Sequence, residues 1–195
     1  MTHLTDLNPA VPSAPDASDL RARYAAALSF DAYLDTVVEN AQLWRDAARL
    51  ARLSDGAAAR AAALPGRWHL LVLSEDWCGD AVNTVPFVAR LADAAPALDV
   101  RVLGRDANPD VIDAHLTSGS RSIPIVIAYD ESFREHAWWG PRPTALQAWV
   151  MGEGQALDKA ARYRHVRTWY ARDRGRTTLD EVLRMLEGAT GPNQA

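Results

Sequence analysis

The chain has 195 residues and a mass of 21.3 kDa, enough for one domain with added helices and short for two full domains. Hydrophobic residues make up 48% and charged residues 24%, which excludes a fully disordered chain; a net charge of −4 and a pI near 5.7 give no sign of a nucleic-acid partner. A single cysteine, Cys78, excludes an intramolecular disulfide and any multi-thiolate zinc or iron–sulfur site.

Residues 1–17, rich in Pro, Ala, Asp and Ser and without periodicity, read as a flexible tail. They lack the basic-then-apolar order of a secretory signal. No later apolar stretch approaches the roughly 18 residues of a spanning helix. The expectation is therefore a cytoplasmic chain with no membrane partner and a reduced thiol. Residues 18–66 read as a helical extension. In it Ser29 caps one long helix from about Phe30 to Leu53, with Tyr33, Leu34, Val37, Trp44 and Ala48 near one face. Residues 56–64 form a shorter helix, stopped by Pro65-Gly66.

The pattern then changes. Trp68 to Leu73 is a short, nearly all-apolar run, as in a strand buried on both faces. Residues 78–95 predict a helix interrupted by Pro86, and Leu98 to Leu103 a second strand. Asn108-Pro109 opens a helix to about Leu116, with Asn108 as the cap. Ile123 to Tyr129 and Arg134 to Trp139 are strands three and four, joined by a hairpin-length loop. Thr144 to Met151 is helical. Over 67–151 the order is β-α-β-α-β-β-α, an α/β core with a four-stranded mixed sheet covered by helices on both faces. Residues 152–190 add helices at about 155–173 and 179–188, the last with Thr178 and Glu181 at capping-box spacing.

Chemistry concentrates in Ser74-Glu75-Asp76-Trp77-Cys78-Gly79-Asp80-Ala81. A cysteine between a buried strand and a helix stands at the helix N-terminus, where backbone N–H groups favour the nucleophilic thiolate. The other reading of a lone cysteine is an inert, buried small hydrophobe. His69 and His115 are not at ligand spacing with carboxylates, so no metal site is expected.

Three features carry a resemblance to the thioredoxin family. Trp77-Cys78-Gly79 resembles the start of its W-C-G-P-C motif. Pro86 falls where the active-site helix has its kinking proline. Arg121-Ser122-Ile123-Pro124 resembles the cis-proline loop that faces the active-site cysteine. The element order is that of the minimal thioredoxin fold, over about 85 residues. More narrowly, the chain looks like a bacterial single-cysteine group with E-D-W-C-G-D, R-S-I-P and W-G-P-R-P, here Glu75–Asp80, Arg121–Pro124 and Trp139–Pro143. The resemblance implies a cis Ile123–Pro124 bond, a sulfur beside Pro124, and substrate pairing along Ile123.

The departures are as informative. Ala81 stands where the family's second cysteine would be, Asp80 replaces the intervening proline, and Val72 replaces a buried carboxylate. The chain alone cannot close the internal disulfide that ends a thioredoxin cycle. Cys78 is the candidate catalytic residue; Trp77, Ile123, Pro124, Arg121 and Arg142 are candidate substrate-binding residues; Asp80 and Asp76 are candidate modulators. Asp80 suits a helix start yet disfavours a neighbouring thiolate, so the two effects oppose at Cys78.

Two functions follow. In the first, the chain is a monothiol redox protein: Cys78 forms a mixed disulfide that a second thiol resolves, glutathione or another low-molecular-weight thiol serving as co-substrate with no resident cofactor. If so, the Cys78 pKa is expected below about 8.5. In the second, the chain is a non-catalytic thioredoxin-fold binding module that uses the Trp77, Cys78, Ile123 and Pro124 surface. The outer helices, which the minimal fold does not need, favour a protein partner or a homodimer. A peroxidase or glutathione-transferase reading ranks third, lacking an activating Thr before the cysteine and a large helical second domain.

Overall fold

The structure, a computed structural model, describes residues 16–189. Of the expected tail, residues 1–15 lie outside the described residues, while Asp16 caps and Ala17 opens the first helix, α1 (Ala17–Ala26). The remaining elements are β1 (Leu28–Ser29), α2 (Phe30–Thr36), α3 (Ala41–Leu50), α4 (Asp55–Ala62), β2 (Trp68–Ser74), α5 (Gly79–Ala94), β3 (Leu98–Gly104), α6 (Pro109–Asp113), β4 (Ile125–Tyr129), β5 (Glu135–Trp139), α7 (Thr144–Met151), a 3-10 turn (Glu153–Ala156), α8 (Lys159–Asp173) and α9 (Arg176–Ala189).

The sheet has the order β1-β3-β2-β4-β5. β2 pairs parallel with β3, Leu70 opposite Val100, and antiparallel with β4, Leu71 opposite Ile127. Leu70, Leu71, Val72 and Leu73 are fully buried, as are Ile125 to Ala128. That burial requires cover on both faces and explains the unbroken apolar runs. Each buried Leu, Ile or Val among them contributes roughly 1.5–3 kcal/mol of transfer free energy. α5 packs against β3 and α9, and α9 against β5. Tyr24 of α1 donates to the Asp99 carbonyl (2.7 Å) and meets His69 edge-on.

Four sequence expectations need correction. The sheet has a fifth strand, the two-residue β1 antiparallel to β3, too short to leave a pattern. The long helix over 30–53 is two helices, broken where Asn40 adopts a left-handed conformation (φ 56°). The cause is remote: the Asp76 carboxylate accepts the N–H groups of Val38 (2.9 Å) and Glu39 (2.8 Å) and so satisfies backbone that would otherwise continue the helix. α6 is capped at Asn108 with Pro109 in its first turn as expected, but it ends at Asp113, short of Leu116, and the Asn108 side chain makes no cap bond: its amide donates to Gly104 and its oxygen accepts from Arg23. The Thr178/Glu181 capping box is not used. α9 starts at Arg176, Asp173 accepts the Thr177 N–H, and Glu181 reaches across to Trp139 (2.8 Å) and the Thr144 N–H (2.9 Å).

Trp44 couples the N-terminal helices to the core. It is fully buried, meets Tyr33 edge-on, and donates through Nε1 to the Asp76 carbonyl (2.8 Å). Trp44→Ala is expected to cost about 3–5 kcal/mol in urea unfolding. A loss below about 1 kcal/mol would show that α2 and α3 are not integral to the fold.

Candidate functional site

The site forms where β2 ends and α5 begins. Each residue of the connecting loop has a distinct fixture. Glu75 accepts the Asp106 N–H (2.8 Å). Asp76 holds the α2–α3 break, so it acts on architecture, and it is not among the largest influences on the Cys78 thiol. Trp77 is exposed, with the Arg105 guanidinium 5.0 Å from its ring centroid. Val38, whose N–H the Asp76 carboxylate accepts, is 82% exposed, so this loop region presents two exposed apolar side chains, Trp77 and Val38.

Cys78, next to Trp77 in the chain, is buried. It is the N-cap of the 16-residue α5, and Sγ accepts the Ala81 N–H at 3.5 Å. The residue is 7% exposed, and the thiol donates to the Ile123 carbonyl at 3.4 Å. Ile123 and Pro124 are themselves buried. The Ile123–Pro124 bond is cis, and so is Gly140–Pro141. These two segments touch: a Cβ at Gly140 (φ 136°) would lie 2.2 Å from the Pro124 carbonyl oxygen, so this close approach requires glycine.

The Gly140-Pro141 turn delivers Arg142 to Asp80. Arg142 Nη2 lies 2.6 Å from Asp80 Oδ2, and its Nη1 donates to Gln147 (2.8 Å). The other Asp80 oxygen accepts the Tyr170 hydroxyl of α8 at 2.9 Å. Burial and the Asp80 charge push the Tyr170 hydroxyl pKa up, so it stays a donor. Asp80 thus joins α5, the loop before α7, and α8 two residues from the cysteine.

These groups decide the state of the thiol. Burial pushes the Cys78 pKa up to about 11; the Asp80 charge adds to the rise, while the Ala81 N–H and Arg142 oppose it. The helix-terminal and arginine effects act in the anticipated direction, but removal of the sulfur from water outweighs them. The sequence left the net direction open, with a fall below about 8.5 tied to the monothiol reading; the structure gives a rise.

Arg121 does not join the site. It is half-exposed and pairs with Asp113 at 2.6 Å, eight residues upstream, and it is not among the largest influences on the thiol. His115 is buried between the Val111 carbonyl (2.7 Å) and Glu135 (3.0 Å), and His69 stacks on Phe133. Among the described residues no group of three or more His, Cys, Asp or Glu is arranged to hold a metal ion, and no helix is long and apolar enough to cross a membrane. Tyr170 is the site residue that sequence reasoning missed. It lies 90 residues from Asp80 on a largely polar helix and leaves no local signal.

The comparisons bear on fold and family. A family model described as thioredoxin matches residues 27–162. A crystal structure of a protein of unknown function from Pseudomonas aeruginosa, PA1234, is 20% identical and has a TM-score of 0.70, covering 90% of this chain and 99% of that one. A crystal structure of an HIV epitope-scaffold with 4E10 in its name is 18% identical with a TM-score of 0.67, covering 86% of this chain and 97% of that one. At these identities the two structures establish the fold alone. The search of curated proteins found no match.

The raised thiol pKa has a consequence for stability. Between about pH 9 and 11 the unfolded thiol ionises and the folded one does not, so the unfolded state binds fewer protons and folded stability falls as pH rises. The contribution is fully present below about pH 9 and is lost through about pH 11, roughly 3 kcal/mol in all. Over that range the native chain is expected to lose about that much more stability than Cys78→Ala in urea unfolding; parallel curves would contradict it.

Proposed function

Because the chain belongs to the thioredoxin family, we propose that it is a thioredoxin-fold binding module that recognises a protein partner at the exposed Trp77 without thiol turnover. One observation carries the reading: the thiol at the family's reactive position is buried and donates its proton to the Ile123 carbonyl. With a pKa of about 11, about one molecule in ten thousand carries thiolate at pH 7, against about 3% for a free cysteine. The greater nucleophilicity of a more basic thiolate recovers roughly tenfold, which leaves Cys78 slower than a free cysteine even before steric shielding. Ala81 is no resolving thiol, and Val72, fully buried, is no proton acceptor. What the site offers a partner is the exposed ring of Trp77, with Arg105 over it, and the exposed Val38 held to the same loop through Asp76.

The Ala81 N–H bond to Sγ favours a second reading, monothiol exchange with glutathione or another low-molecular-weight thiol once the Ile123 contact opens. Reaction with glutathione disulfide separates the two. At pH 7, followed by mass spectrometry, Cys78 is expected to form the mixed disulfide at least tenfold more slowly than an unstructured cysteine peptide. A rate equal to or above the peptide's would replace the binding reading with the redox one.

A further inference from the structure

Charge is distributed unevenly along this acidic chain. Residues 159–176 hold seven of the 21 basic residues and one of the 25 acidic ones, Asp173. The segment is +6, and the rest of the chain, at −4 overall, is −10. Pairing follows the same division. Outside the segment, ten of fourteen arginines hold a carboxylate. Inside it, among the described residues, none of the seven basic side chains forms an ion pair.

A cavity of about 370 Å³ opens at the end of this segment, between the start of α4 and the turn joining α8 to α9. Four arginines line it: Arg52, Arg60, Arg174 and Arg176. Arg60 holds Asp180 (2.8 Å) and Glu187 (2.7 Å). Among the described residues Asp180 is the one acid lining the cavity, and it is bound by both Arg60 and Arg184. The other three arginines hold no carboxylate among the described residues. Arg52 and Arg176 donate to nearby carbonyls, which fixes their stems and leaves guanidinium donors over. Gly56 and Ala57, in the first turn of α4, line one side. The apolar side chains of Leu179 and Leu183 line another.

We propose that this cavity binds a phosphorylated small molecule. Guanidinium forks match phosphate oxygens two at a time, and three of them without carboxylates converge on one concavity. Leu179 and Leu183 give the uncharged part of such a molecule an apolar surface. The volume lies in the range of small-molecule sites. The field of the +6 segment draws anions to the mouth, while the −10 remainder repels a long phosphate polymer running across the body. A small ligand fits that pattern and an extended nucleic acid does not. The site is separate from Cys78, and its occupancy does not depend on how that thiol behaves.

Isothermal titration of the full chain with inorganic pyrophosphate and with AMP, in phosphate-free buffer at low salt, tests the proposal. One saturable site is expected, weakened at least tenfold in the double variant Arg52→Ala and Arg174→Ala. The variant Arg164→Ala and Arg167→Ala, on the exposed side of α8, should bind within twofold of the native chain. If the cavity variant fails to fold, amide chemical shifts of the native chain take its place, with changes expected at Gly56, Ala57 and Gly175. The absence of saturable binding by both probes would overturn the proposal. So would equal weakening by the α8 variant, or shifts confined to the exposed side of α8, since either marks a diffuse charge effect.

Discussion

The thiol hydrogen bond from Cys78 to the Ile123 carbonyl joins the start of α5 to the loop entering β4. It needs the sulfur inside the protein, and that burial sets the chemistry of everything nearby. A helix N-terminus and a neighbouring arginine would activate an exposed cysteine. Here Arg142 is held by Asp80, and the sulfur has little water to stabilise a negative charge. Desolvation wins, and the proton stays on sulfur.

The additions to the minimal fold close around this junction. From the N-terminal side, the α2–α3 break is tied to Asp76, and the Trp44 indole to the same residue's carbonyl. From the C-terminal side, Tyr170 binds Asp80, and Glu181 of α9 binds both Trp139 of β5 and the first N–H of α7. Asp76 and Asp80, read from sequence as tuning the thiol, are therefore also structural clamps between extension and core, and Asp80 still adds its charge to the thiol's raised pKa. Trp77 and Val38 are left at the surface.

The core was legible because its signals are local. Leu70 to Leu73 and Ile125 to Tyr129 are apolar runs that only a doubly covered sheet accommodates, and Cys78, Pro86 and Pro124 stand at family spacing within that order. The misses share a different cause. The α2–α3 break depends on Asp76 nearly forty residues downstream, and the Asp80 latch on Tyr170 ninety residues away. Arg121 was assigned to the site by adjacency to Pro124, yet Asp113 on its own side of the loop captures it. The direction of the Cys78 shift was open because burial, the deciding factor, depends on packing. The basic segment at 159–176 was visible in the sequence, but averaging charge over the whole chain hid it.

The central claim is that the Cys78 thiol is protonated and shielded in the folded chain. The most direct measurement is its alkylation rate by iodoacetamide as a function of pH. The account predicts slow reaction near neutrality and an inflection at about pH 11. An inflection at or below about 8.5 would show an activated thiolate and contradict it.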